Sequence, residues 1–141
     1  DLDHFKQIND AFGHHAGDLV LQTLSQRLQG AMREMDTLCR WGGDEFVALL
    51  PDAVQEADVR HVATRLMEAG RQSIEVEGQE ILPTLSIGFA VYPDDAASAE
   101  ALMTVADHTM FYAKRNGRNH VRFCSDLPPG LAQFELLDHL I

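Results

Sequence analysis

Two short acidic runs carry the first hint of chemistry in this chain. Asp1-Leu2-Asp3 and Asp44-Glu45 set carboxylates at the end of one predicted strand and in a tight turn between two others. Clustered like charges repel, so neither place rewards carboxylates for packing. A hard divalent cation would relieve that repulsion, and oxygen ligands shared with a phosphate point to Mg2+. Each acidic pair alone also fits an ordinary solvated turn. The cations are scarce enough to be informative: lysine occurs only at Lys6 and Lys114, and Lys114, Arg115, Arg118 and Arg122 fall together. A phosphate-bearing ligand would need such a local cluster or a bridging metal. Gly42-Gly43 directly precedes Asp44, and glycine allows both positive φ and close approach of a nucleotide to the backbone. A Gly-Gly hairpin turn is also common without any function.

Other candidates weigh less. His14-His15 are adjacent, and neighbouring residues rarely point at one ion, so both are read as structural. Asp3 is expected to cap or bond locally rather than bind metal. Cys39, on a strand beside the turn, reads as a small inert hydrophobe. The chain holds no GxxxxGK[ST] loop and no GxGxxG fingerprint, so neither of those nucleotide-binding modes is supported.

The elements that must position these residues follow from periodicity. Asp1 to Phe5 reads as a strand end entering a loop, with Gly13 and Gly17 as breaks and Asp18 able to cap a helix. Val20, Leu21, Leu24, Leu28 and Ala31 then recur at helical spacing. Thr37 to Trp41 and Phe46 to Leu50 read as strands joined through Gly42-Gly43-Asp44-Glu45, with Pro51 ending the second. Val59, Val62, Ala63 and Leu66 mark a helix that Gly70 terminates. Ile74-Val76 and Ile81-Val91 suggest a second hairpin around Gly78. Leu102, Val105, Ala106, Met110 and Ala113 mark a third helix, closed by Asn116-Gly117, and Val121-Phe123 is a last short strand. This order predicts an α/β fold with a mixed central sheet flanked by helices. Pro128-Pro129-Gly130 then breaks the pattern, and Leu131 to Ile141 reads as a C-terminal helix or linker.

Composition bounds the rest. A chain of 141 residues with 45% hydrophobic and 23% charged content suits one globular domain with a short tail, not a disordered or fibrous protein. No apolar run approaches the roughly 20 residues that span a bilayer. The net charge of −11 argues against nucleic-acid or anionic-membrane binding. Two cysteines far apart, Cys39 and Cys124, suggest neither a disulfide framework nor a zinc site, in keeping with a reducing cytoplasm. The sequence opens on Asp1 with no signal segment, and is read as a piece of a longer protein whose other parts could include a membrane anchor.

Taken together, Asp1-Leu2-Asp3-His4-Phe5-Lys6-Gln7-Ile8-Asn9-Asp10, Gly13-His14-His15-Ala16-Gly17-Asp18, Arg40-Trp41-Gly42-Gly43-Asp44-Glu45-Phe46 and Ala113-Lys114-Arg115-Asn116-Gly117-Arg118-Asn119 resemble the GGDEF diguanylate cyclase domain. The resemblance runs in order from Asp1 to about Phe123. It implies a domain over 1–124, lacking its usual first helix and most of its first strand, with 125–141 as linker or helix. The implied fold is like that of nucleotidyl cyclases and polymerase palms. The implied activity condenses two GTP into cyclic di-GMP, each 3′-hydroxyl attacking the other α-phosphate across a homodimer.

Residue by residue, the resemblance makes Asp1, the Leu2 carbonyl and Asp44 the ligands of Mg2+ (or Mn2+). Asp44, Glu45 and Lys6 become the catalytic set. Phe5 (through its backbone), Lys6, Gly42 and Gly43 would line the phosphates, and Lys114 and Arg118 would hold the far ones. Asn9 and Asp18 would select guanine, whose N1–H and N2–H2 donors adenine lacks. Arg33-Glu34-Met35-Asp36 is similar to the family's RxxD product-inhibition site, with Arg33 and Asp36 as its members. A second arginine there is left open between Arg60 and Arg65, which flank Thr64. The competing reading is a non-catalytic module that binds cyclic di-GMP or GTP and regulates a neighbouring domain. The undamaged Gly-Gly-Asp-Glu-Phe run, with Asp1, Lys6 and Lys114 present, weighs against it.

Overall fold

Gly13 decides how the first part of the chain folds. Its φ of 90° is a left-handed value that favours glycine, and it separates helix α1 (Phe5–Phe12) from helix α2 (His14–Ala31). The computed structural model describes residues 1–51, 53 and 55–128, in two units, Asp1–Leu85 and Ser86 onward.

In the first unit α2 carries the buried stripe Ala16, Val20, Leu21, Leu24 and Leu28. Helix α3 (Glu56–Gly70) answers it with Val59, Val62, Ala63, Leu66 and Met67, and the two helices pack together. Each valine, leucine or methionine among them stabilises the fold by about 1.5–3 kcal/mol when fully buried. Strands β1 (Thr37–Gly42) and β2 (Glu45–Leu49) form an antiparallel ladder from Thr37↔Leu49 to Gly42↔Glu45, irregular between Arg40 and Gly42. Strands β3 (Ile74–Val76) and β4 (Gln79–Ile81) form a second antiparallel pair around Glu77-Gly78. Both turn residues have positive φ, as a two-residue hairpin whose twist matches its strands requires. Ile74, Val76 and Ile81 are buried while Glu75 and Glu80 are exposed. Arg27 fastens α2 to this hairpin by donating to the Gln72 and Ser73 carbonyls, at 2.8 and 2.9 Å.

In the second unit β5 (Ile87–Phe89) and β6 (Val121–Phe123) pair in parallel. The crossover between them is helix α4 (Ala99–Arg115), which packs on both strands. Ser98 caps α4 by accepting from the Ala101 N–H at 3.2 Å. The rings of Phe89 and Phe123 stack with centroids 5.1 Å apart. A 3-10 turn follows at Cys124–Asp126.

The α/β class with antiparallel and parallel pairing is as expected, but several details correct the sequence reading. Among the described residues the strands form three separate two-stranded ladders, and the first unit also holds an isolated bridge between Leu2 and Leu85. Phe5–Phe12 is a helix, not a loop. Ile81–Val91 is not one strand: β4 ends at Ile81 before Pro83, Leu85 bridges to Leu2, and Ile87–Phe89 pairs with β6. Asp18 is not an N-cap, because α2 starts a full turn earlier at His14. Gly17 is therefore interior to a helix rather than a break. The predicted helix Leu131–Ile141 lies outside the described residues.

Candidate active site

The turn between β1 and β2 is held from two sides. Arg40 donates from Nε to the Gly43 carbonyl at 2.8 Å, bracing Gly42 and Gly43, whose φ values are 159° and 54°. From the other side the Leu2 N–H donates to the Asp44 carbonyl at 3.1 Å. That single bond brings the Asp1-Leu2 segment against the Asp44 turn across forty-odd residues of sequence. Asp44 is half-buried, whereas Glu45, at the start of β2, is exposed. The neighbouring Trp41 is 65% exposed.

Asp3 anchors the segment that carries Asp1. It is 2% exposed, its N–H donates to the Thr84 carbonyl at 2.9 Å, and its Oδ2 accepts from the Thr84 hydroxyl at 2.9 Å. Asp3 is thus a bonded structural carboxylate, as expected, though its partner is distant in sequence rather than local. Phe5 and Lys6 begin α1, where the first backbone N–H groups have no acceptor within the helix and favour anions.

Asn9 and Gly17 meet where α1 passes α2. A Cβ at Gly17 would collide with the Asn9 carboxamide and press on the Phe5 ring at 3.3 Å. The missing side chain is the space that Asn9 occupies. Asn9 Oδ1 is buried there with no hydrogen-bond partner among the described residues, and Asp18, next along α2, is exposed. A buried unpaired acceptor costs about 1–3 kcal/mol.

Arg33 and Asp36 pair with each other at the end of α2. Asp36 Oδ2 accepts from the Arg33 backbone N–H at 2.9 Å and from its Nε at 3.2 Å. Oδ1 lies 3.4 Å from a terminal guanidinium nitrogen, and the Asp36 side chain is 0% exposed. Arg60 instead pairs with Glu56 along α3, at 2.9 Å.

Lys114 and Arg118 belong to the second unit, at the end of α4 and in the loop after it. The Arg118 N–H donates to the Ala113 carbonyl at 3.0 Å. The exposed His14 and His15 start α2, and among the described residues no three His, Cys, Asp or Glu side chains stand together as a metal cage. Cys39 is exposed. Burial pushes the Cys124 thiol up, and the nearby Asp95 carboxylate adds to that.

Sequence reasoning missed three residues here. Arg40 stood within a quoted motif, but its bond to Gly43 leaves no trace in spacing. Thr84 lies too far along the chain for any pattern to join it to Asp3. Gly17 was visible, yet its role depends on where α1 passes.

Comparison with known proteins now decides the family. The diguanylate cyclase GGDEF domain family matches residues 1–120. The chain belongs to the GGDEF family. A GGDEF relative is the bifunctional diguanylate cyclase/cyclic di-GMP phosphodiesterase MucR of Pseudomonas aeruginosa, 40% identical over 136 residues, covering 96% of this chain and 20% of MucR. The diguanylate cyclase TpbB of the same organism is 38% identical over 96% of this chain and 31% of TpbB. The solved GGDEF domain of TpbB superposes with a TM-score of 0.88 at 36% identity, covering 95% of this chain and 77% of that one. The GGDEF domain of DgcB from Caulobacter crescentus, solved in complex with c-di-GMP, gives a TM-score of 0.76 at 30% identity, covering 89% and 75%. The fold is accordingly the nucleotidyl cyclase palm-like one of these domains. The chain spans about a fifth of MucR and under a third of TpbB.

Proposed function

We propose that this GGDEF domain is the cyclase domain of a diguanylate cyclase, condensing two GTP into cyclic di-GMP. The observation that carries the reading is the Leu2 N–H bond to the Asp44 carbonyl, which sets the Asp1-Leu2 backbone beside the Gly-Gly-Asp-Glu turn. The name of TpbB supports the activity, and the DgcB complex supports binding of the product.

The donors at this place are oxygen only: the Asp1 and Asp44 carboxylates with the Leu2 carbonyl. That set fits Mg2+ or Mn2+, which take one or two carboxylates and complete their shell with waters and phosphates. When bound, such a metal neutralises triphosphate charge and favours ionisation of the attacking hydroxyl. The chain's own residues do the remaining work. Gly42 and Gly43 leave the turn without side chains, so phosphates approach the backbone. The N-terminus of α1 offers the Phe5 and Lys6 N–H groups, and Lys6 adds a cation. Asp44 also helps to deprotonate the attacking hydroxyl, Glu45 supports the metal and charge network, and Lys114 and Arg118 hold the far phosphates. The base is chosen by Asn9 and Asp18. The orphaned Asn9 Oδ1 is an acceptor that a guanine amine would satisfy and adenine would not.

One domain carrying one GTP cannot supply both the hydroxyl and the attacked phosphate, so the working unit is a homodimer. Arg33 and Asp36 form the product-inhibition site, with Asp36 holding the Arg33 fork. GTP as substrate places the domain in the cytoplasm; among the described residues no helix is long and apolar enough to cross a membrane. A second reading, a regulatory module beside a phosphodiesterase, is favoured by the name of another relative, the cyclic di-GMP phosphodiesterase NbdA of Pseudomonas aeruginosa, 37% identical over 89% of this chain and 16% of NbdA. One experiment separates the two. The full-length protein is incubated with GTP and Mg2+ and its products are read by mass spectrometry, beside an Asp44→Ala variant. Cyclic di-GMP from the wild type and none from a folded variant supports the cyclase. Undiminished product from that variant sinks the assignment.

A further inference from the structure

The loop after α4 is strained in its backbone. Gly117, Arg118 and Asn119 have φ of 111°, 59° and 51°, three consecutive left-handed residues. Glycine adopts this region freely and asparagine tolerates it, but arginine does so only where its surroundings over-determine it. The surroundings here are the last carbonyls of α4, which a helix end always leaves without an intrahelical donor. Asn116 supplies Tyr112 through its backbone N–H at 3.1 Å and its Nδ2 at 2.9 Å. The Ala113 carbonyl receives the Arg118 N–H at 3.0 Å and faces His120 Nε2 at 2.9 Å. A carbonyl can only accept, so the imidazole carries its proton on Nε2 at this contact. His120 is bolted at its other end as well, since its own carbonyl accepts the Ile87 N–H at 3.2 Å, where the β5–β6 ladder begins. Its ring lies over Gly117, with Cε1 3.7 Å from where a glycine Cβ would stand. His120 therefore ties the loop to the helix end through its ring and to β5 through its backbone carbonyl.

We infer that His120 is a positioning residue: it locks the left-handed loop so that the Arg118 guanidinium is presented, with Lys114, in a fixed arrangement for a triphosphate. The inference rests on the phosphate-binding reading of Lys114 and Arg118 given above. His120 touches no substrate in this scheme. Without the ring's hydrogen bond, Arg118 keeps its charge but samples several backbone conformations, and each phosphate contact must then restore the order that the lock supplied.

Isosteric variants of the intact protein test this. His120→Gln keeps a terminal N–H donor, and His120→Met has similar length with none. The readout is the ratio of affinities for the non-cleavable α,β-methylene GTP and for GMP, both measured calorimetrically with Mg2+. The base pocket and the folded fraction cancel in that ratio, so a merely structural role for His120 would not move it. His120→Met is expected to lower the ratio about fivefold, the equivalent of one neutral hydrogen bond, with GMP affinity unchanged. His120→Gln is expected to stay within about twofold of wild type, since the donor is what counts. Arg118→Ala sets the scale. If Arg118→Ala lowers the ratio while the Met and Gln variants match each other, the inference is overturned and the phosphate reading stands. If Arg118→Ala and Lys114→Ala both leave the ratio unchanged, the phosphate reading fails and the inference falls with it.

Discussion

Gly17→Ala should damage base selection more than folding. The added methyl would land on the Asn9 carboxamide and crowd the Phe5 ring. The folding terms nearly offset one another: replacing an interior helical glycine by alanine gains about 1 kcal/mol, against the roughly 1–3 kcal/mol typical of overpacking. The cheapest relief is rotation of Asn9 out of its slot, because its Oδ1 has no hydrogen bond among the described residues to hold it there. In the proposed complex the base then loses the Asn9 acceptor for its amine, worth about 1–3 kcal/mol, or roughly a 5- to 150-fold fall in discrimination. The assay compares binding of GTP and ITP, which differ only in the 2-amino group, in wild type and variant, with melting temperature as the folding control. Wild type should prefer GTP, and Gly17→Ala should lose most of that preference, keeping only what Asp18 supplies, while melting within a few degrees of wild type. A folded variant that keeps the full preference would show that Asn9 does not read the 2-amino group.

Three further outcomes are expected. Leu24→Ala, at a fully buried α2 position, should cost about 2–5 kcal/mol in denaturant unfolding. Asp36→Ala should weaken cyclic di-GMP binding in calorimetry as much as Arg33→Ala does, because the buried Asp36 carboxylate holds the Arg33 fork rather than waiting for ligand. Between pH 7 and 9, the exposed Cys39 should alkylate first, and Cys124, its thiol pushed up by burial and by Asp95, should lag and still be accelerating at the top of the range; peptide mass mapping reads both.

Where a residue's role depends on near neighbours, the sequence was readable. The buried stripes of α2 and α3 rest on spacings of four residues or fewer, and the β3–β4 hairpin closes over a two-residue turn. Helix α1 escaped notice although Phe5, Ile8 and Phe12 recur at helical spacing, because eight residues are too short a window for that period to stand out. The Ile81–Val91 run misled for the opposite reason. Its alternation is genuine, but the partner changes from β3 to Leu2 to β6 along its length, and alternation records burial, not partnership.

The site divides along the same line. The candidate residues Asp1, Lys6, Gly42, Gly43 and Asp44 stand out in the sequence because their chemistry is costly without a ligand: repelling carboxylates, a turn stripped of side chains, scarce lysines. What brings them together is not costly and so leaves no trace. The bonds from Leu2 N–H to Asp44, from Thr84 to Asp3 and from Arg40 to Gly43 are hydrogen bonds of common type, worth about 1–3 kcal/mol each. Nearly any backbone could donate the first, and a serine could replace the threonine. Gly17 shows the same division in one residue. Its identity is constrained by a close approach, yet in sequence it reads as a break and lends Asp18 the look of a helix cap. The constraint lies in the packing of α1 on α2, which fixes where Asn9 stands and leaves its acceptor without a partner among the described residues.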